Sequence, residues 1–160
     1  MNAAVLKTVV RGDPDRGFES LPLRSMAFVH RHRVRYHECD PQGIVFNGNW
    51  FQYFDVTLTE LWREALGSYD TVMKSGSDVV VLEASARYFA PARFEDEIEI
   101  AMSYERLGTT STISRFDATR DGERLVEGRL VHVFVDPATM AKQVIPDWIR
   151  ERLEPYVSET

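Results

Sequence analysis

From Asn49 onward the apolar residues fall into helical spacing. Trp50, Phe51, Phe54, Leu58, Leu61, Trp62 and Leu66 recur mostly at steps of three and four, the period of a helix that buries one broad flank. Gly67 suits the position just past a helix end. The spacing predicts one long helix over Asn49–Leu66, with Thr57, Thr59, Glu60 and Arg63 at its polar positions. Further along the chain the period changes from helical steps to alternation. Strands are predicted at Asp78–Phe89, opening on a buried-type run from Val79 to Leu82, and at Glu95–Leu107, Thr110–Arg120 and Glu123–Val135. Asp121-Gly122 reads as a tight hairpin turn, and Pro137 ends the last strand. A short helical turn at Tyr69–Lys74, a short edge at Lys142–Ile145 and a terminal helix Asp147–Leu153 with Pro146 at its first position complete the pattern. No βαβ repeat is present, which disfavours a doubly wound parallel sheet. The fold class is α+β: one long helix and an antiparallel sheet. One helix cannot cover both faces of that sheet, so its open face and edges invite a partner, a homodimer or a dimer of dimers.

Upstream of the helix, Phe28–His37 reads as a first strand, with Phe28, His30, His32, Val34 and Tyr36 on one face. Residues 1–27 read as an N-terminal extension, and 28–156 as the domain. The strand runs into Glu38-Cys39-Asp40-Pro41-Gln42-Gly43. Proline fixes φ and glycine permits φ > 0, so this is a turn with Asp40 at its entrance. Asn47, Gly48 and Asn49 then supply helix N-cap residue types. A carboxylate on a tight turn is therefore succeeded, a few residues on, by a helix start with unpaired N–H groups and the positive end of its dipole. Such an end can stabilise an oxyanion. The carboxylate can activate water or attack a carbonyl itself. The same residues also have a plain structural reading, an inert turn leading into an aromatic core stripe.

Composition narrows the field. A chain of 160 residues with 44% hydrophobic content suits one domain with one core, and a net charge of −6 without a basic face argues against nucleic-acid binding. One cysteine excludes an internal disulfide and suits a reducing, cytoplasmic setting. Strand alternation points Cys39 away from Glu38 and Asp40. No apolar run approaches the roughly 20 residues of a membrane span, and no signal-peptide pattern stands at the N-terminus. The nucleophile elbow, the P-loop and the dinucleotide fingerprint are missing, as is any zinc-ligand spacing. His30 and His32 share a strand face without a third ligand nearby, so no metal is expected.

The stretch ECDPQGIVFNGNWFQYFD resembles the signature of the 4-hydroxybenzoyl-CoA thioesterase family of hot-dog-fold proteins, carried here by Glu38, Asp40, Gly43, Ile44, Val45, Asn49, Phe54 and Asp55. The resemblance extends more weakly over about residues 28 to 150. It implies a curved sheet wrapped around the long helix and hydrolysis of an acyl- or aryl-CoA. Asp40 would be the catalytic carboxylate, and the backbone N–H of Asn47 would polarise the thioester carbonyl. Substrate contacts are implied at Gly43, Ile44, Val45, Phe46, Trp50 and Asp55. The segment Arg106, Thr109, Thr110 and Ser111 occupies about the place where the family meets CoA phosphates, with Arg87 and Arg93 as further candidates. Coenzyme A enters as part of the substrate, so no separate cofactor is implied. The acyl pocket would lie between subunits of a homodimer or homotetramer. The chain departs from the family pattern at Glu38, where aspartate is common, at Trp50 in place of tyrosine, and at Asn47, where many members carry tyrosine or histidine. The last change alters the lining beside the site, so substrate preference does not carry over. Two other readings compete: a non-catalytic acyl-binding domain, and an acyl-thioester dehydratase or hydratase, for which His37 near Asp40 is the sole acid–base pair in reach.

Overall fold

The structure is a computed structural model and describes residues 27–158. All but the last residue of the predicted N-terminal extension lie outside them. Strand β1 (Phe28–Arg33) leads through a single 3-10 turn (Tyr36–Glu38) to helix α1 (Asn49–Leu66). A short helix α2 (Tyr69–Lys74) precedes β2 (Asp78–Tyr88), β3 (Glu97–Leu107), β4 (Ser111–Arg120) and β5 (Glu123–Val135), and α3 (Asp147–Leu153) leads into a closing 3-10 turn (Glu154–Tyr156). The strands form one sheet in the order β1-β3-β4-β5-β2, with every neighbouring pair antiparallel. A single helix against one antiparallel sheet is the arrangement that the resemblance implied.

The period-2 pattern decides which face α1 occupies. Ile98, Ile100, Met102 and Tyr104 of β3, Phe116 and Ala118 of β4, and Leu130 and Phe134 of β5 are buried on the inner side. The helix lays Trp50, Tyr53, Phe54, Leu58, Leu61, Trp62 and Leu66 against them. Each large apolar side chain moved from water to this layer contributes about 1.5–3 kcal/mol. Phe54 stacks on Phe116 with ring centroids 4.8 Å apart. Gly128 of β5 leaves the space that the Phe54 ring fills. The indole N–H of Trp62 donates to the buried Tyr104 hydroxyl at 2.8 Å, so neither polar group is stranded in the core. The opposite side of the sheet is laced with charge. Arg115 pairs with Glu127, Arg124 with Asp117 and Glu127, and Arg129 with Glu83 and Glu105. The open face anticipated from the sequence is thus an ion-paired surface, each exposed pair worth at most about 1 kcal/mol.

Several expected boundaries shift. The first strand ends at Arg33 rather than His37, because the Glu38 carboxylate accepts the Arg35 N–H at 2.6 Å and closes the chain into a turn. Tyr36 consequently leaves the strand face and is 81% exposed. Cys39 likewise lies beyond the strand, so alternation does not set its direction; its thiol faces the Arg35 carbonyl at 3.9 Å. The Val79–Leu82 run is not a buried one: Val81 is 56% and Leu82 70% exposed, since β2 is an edge strand and the ladder with β5 shifts register between Val81 and Glu83. Lys142 makes one isolated bridge to Val135 instead of beginning an edge strand. Pro146 is the N-cap of α3, and Asp147 is its first residue. The Asp121-Gly122 hairpin turn forms with φ of 50° and 83°, positive at both positions as a type I′ turn requires.

Candidate active site

The turn that carries Asp40 is closed twice by backbone. Asp40 N–H donates to Ile44 O and Gly43 N–H to Asp40 O, both at 2.9 Å. Gly43 sits at φ +73°, a conformation that an L side chain resists. One Asp40 carboxylate oxygen, Oδ1, accepts the Gln42 N–H at 2.8 Å, which orients the acid across its own turn. Val45 N–H donates to Ala92 O at 2.8 Å, fastening the turn to the β2–β3 connection.

Glu38 anchors the turn from below. Its Oε2 receives the Tyr53 hydroxyl at 2.9 Å and the His32 Nε2 at 3.0 Å, besides the Arg35 N–H. Its backbone oxygen accepts both Asn49 Nδ2 at 2.7 Å and Phe46 N–H at 3.0 Å. Burial acts to raise the Glu38 pKa, yet the bonds from Arg35, His32 and Tyr53 together outweigh it and hold the carboxyl below the ordinary glutamate range. Burial first, and then the bond to Glu38, push the Tyr53 phenol far above its usual value, so it stays a donor. Glu38 is therefore a support for the turn, with its acid group already engaged.

Helix α1 starts behind Gly48, whose N–H is taken by the Asn47 side-chain Oδ1 at 2.9 Å. Asn49, Trp50 and Phe51 donate back to Phe46, Asn47 and Gly48. The N–H of Asn47 has no acceptor among the described residues. The Tyr88 hydroxyl donates to Asn47 O at 3.1 Å, pinning the next peptide, Asn47–Gly48, from the end of β2.

Asp40 and Asn47 lie on one open groove of about 590 Å³, floored by Val45 and Trp50 and walled by Ile44, Phe46 and the segment Tyr88–Ala92. The sequence placed Ile44, Val45, Phe46 and Trp50 at the site, and the structure groups them there. Gly43 stands outside the lining, and its carbonyl accepts from Arg93 Nη1 at 3.5 Å. Asp55 lines a different cavity further along α1. Thr109 and Thr110 lie in the β3–β4 turn, with Arg106 near the end of β3 and Ser111 opening β4. Ser111 is in register with Val133, and Val133 with Val80 of β2. From Val80 to Tyr88 a strand extends about 26 Å, so within one chain this turn and the Asp40 groove are at opposite ends of the sheet. The turn is held structurally, with Thr109 O and Thr110 O accepting from Ile145 and Phe134, and Arg150 bonding Leu107 O and Gly108 O. The Tyr88–Ala92 wall and the role of Tyr53 are not legible in the sequence. Nothing near Asp40 in the chain announces a wall supplied by the end of β2. His30 and His32 do share a face, but no group of three potential ligands occurs among the described residues.

Residues 42–127 match the family described as Thioesterase superfamily. The chain belongs to that superfamily, whose class is thioester hydrolase. Among similar proteins, one of Aquifex aeolicus named as an esterase is 35% identical over 51% of this chain, and the chain spans 64% of that protein's length. The acyl-CoA thioester hydrolase YbgC of Escherichia coli is 27% identical over 71% of this chain and 86% of its own. The crystal structure of a thioesterase superfamily protein from Jannaschia sp. CCS1 superposes with a TM-score of 0.79 at 24% identity, covering 87% of this chain and 99% of that one, which shows a common fold. No helix among the described residues is long and apolar enough to cross a membrane.

Proposed function

We propose that the protein hydrolyses acyl-CoA thioesters in the groove between Asp40 and Asn47. The observation that carries this reading is that one groove is lined by both Asp40, whose carboxylate is tied by one oxygen to its own turn, and Asn47, whose backbone N–H has no acceptor among the described residues. The Asn47 N–H receives the carbonyl oxygen as negative charge develops there, and being fixed before the reaction it needs no reorganisation. Asp40 either takes a proton from water as the water attacks the carbonyl carbon, or attacks that carbon itself to form an anhydride that water opens. In both routes the C–S bond breaks, the sulfur leaves as the CoA thiol with a proton from solvent, and the acyl group departs as a carboxylic acid. The kinship with YbgC, an acyl-CoA thioester hydrolase by name, supports the CoA ester as substrate.

The protein works as a homo-oligomer in this reading. β2 is an edge strand with Val81, Leu82 and Tyr88 exposed and Phe89 exposed just past its end, a surface that pairing with a second copy would cover. Because the β3–β4 turn is far from Asp40 in its own chain, its contact with the CoA portion requires another subunit. Phe46, Trp50 and Tyr88 offer the acyl group an aromatic bed that accepts an aryl ring or an aliphatic chain. A cytoplasmic location suits the half-buried free thiol of Cys39.

Replacing Asp40 by Asn keeps the size and removes the charge. We expect kcat on a panel of acyl-CoA esters to fall by about 10²–10⁴, with the fold unchanged by circular dichroism. Equal rates for the parent and Asp40→Asn would remove Asp40 as the catalytic carboxylate, and hydrolysis by neither would leave only an acyl-binding role.

A further inference from the structure

Tyr53 stands four residues past the start of α1, about 6 Å along the helix axis. Helical side chains lean back toward the N-terminus, and the Tyr53 ring accordingly reaches beneath the turn that carries Asp40. It is buried and touches two other rings. The His32 ring of β1 lies with its centroid 4.3 Å away, and Trp50, which floors the Asp40 groove, stands edge-on at 5.4 Å. The Tyr53 hydroxyl donates to Glu38 Oε2, the same oxygen that receives the Arg35 N–H and pairs with His32 Nε2. Three partners thus converge on one carboxylate oxygen, from α1, from β1 and from the head of the 3-10 turn.

A tyrosine–glutamate bond need not bear on chemistry. At the far end of α1 the Tyr156 hydroxyl donates to Glu64 Oε1 at 3.0 Å, likewise part-buried, and neither residue is among those lining the Asp40 groove. That bond fastens the closing 3-10 turn to the helix. Glu38 differs in what its backbone holds. It stands two residues before Asp40, and its carbonyl accepts the Phe46 N–H and Asn49 Nδ2 from either side of Asn47. A Glu38 held still therefore keeps the acid and the amide in one fixed relation, and a misplacement of about 1 Å between reacting groups can cost about 10² in rate. We propose that Tyr53 is a positioning residue for the hydrolysis: its hydroxyl fixes Glu38, and Glu38 fixes the Asp40 carboxylate relative to the Asn47 N–H. His32 completes the hold from β1. Tyr53 itself is not a lining residue of the groove, so it acts on the reaction through Glu38 and not on the substrate.

This inference rests on the thioesterase reading of the Asp40 groove. The test measures kcat and KM on a panel of acyl-CoA esters for the full-length parent and for Tyr53→Phe, which keeps the ring and both of its ring contacts. Per folded enzyme, kcat should fall by about tenfold and by the same factor for every ester, with KM within about twofold of the parent. Tyr156→Phe removes a like bond remote from the groove. It should leave kcat within about twofold, whatever it does to the urea midpoint. Glu38→Gln and the double variant with Tyr53→Phe complete the set. Partners in one bond are not additive, so the double variant should lose less than the product of the two single factors. An unchanged kcat in Tyr53→Phe, a change confined to KM or to some esters, an equal fall in Tyr156→Phe, or independent factors in the double variant overturns the positioning role while hydrolysis that depends on Asp40 still stands. A parent that hydrolyses no acyl-CoA overturns both.

Discussion

A Cβ placed on Gly128 would stand 2.3 Å from Cε2 of Phe54. The ring cannot retreat: Phe54 is fully buried and stacked on Phe116. Gly128→Ala should therefore destabilise the fold by overpacking, by about 1–3 kcal/mol, read as a lower midpoint in urea with an unchanged slope. A stability equal to the parent would mean that α1 can lift from β5 without cost.

The Trp62–Tyr104 bond is the core's buried polar link. Tyr104→Phe removes the acceptor and leaves the indole N–H without a partner. The expected loss is about 1–3 kcal/mol, measured by chemical denaturation.

Tyr88 should act on rate more than on stability. Its ring is partly exposed, and its hydroxyl pins the Asn47 carbonyl. In Tyr88→Phe the apolar wall of the groove remains while the peptide next to the proposed oxyanion donor loosens. We expect kcat to fall by about three- to tenfold, in line with the loss of one net hydrogen bond, with KM and thermal midpoint nearly unchanged. A change confined to KM would place Tyr88 in binding instead.

Glu38 gives a pH signature. Its folded-state pKa is lowered below the ordinary 4.5, so the ionised form is favoured by the fold. The stability it contributes is complete above that ordinary value and is lost as pH falls from about 4.5 through the lower, folded-state value. Glu38→Gln should cost about 1–3 kcal/mol at pH 7 and flatten the decline in stability between about pH 5 and pH 3. Urea midpoints across that range for the parent and the variant provide the comparison. An undiminished acid slope in the variant would assign the decline to other carboxylates.

Gly43→Ala tests the turn itself. With φ at +73°, an added Cβ strains the backbone by about 1 kcal/mol, although its nearest neighbour is the tip of Arg93 at 3.9 Å. The penalty should appear in kcat more than in folding, because the residue tightens the loop that aims Asp40.

The sequence was most informative where periodicity is strong. The predicted limits of α1, Asn49–Leu66, coincide with the observed ones, because seven apolar residues at helical steps leave no competing period. The strand order could not be read, yet the strands that cover α1 were found within a residue or two. The misplaced end of β1 has a local cause. Tyr36 to Glu38 continue an alternating pattern, and they are turned aside by the bond that the Glu38 side chain accepts from the Arg35 N–H together with the backbone bond from Glu38 N–H to Arg35 O. The exposure of Val81 and Leu82 depends on their place at the sheet's edge, which composition does not encode. At the site, the turn residues were legible because Pro41 and Gly43 constrain φ wherever they occur. The Tyr88–Ala92 wall was not, since proximity created by folding leaves no trace in neighbouring letters.

The Glu38 carbonyl serves two tethers at once, Phe46 N–H from one end of the loop and Asn49 Nδ2 from the mouth of the helix. Acid and amide are thereby moored to a common post. Should that post slip, the two would drift out of alignment together, so thermal inactivation would set in as a single event at this hinge while the sheet beneath still held its shape.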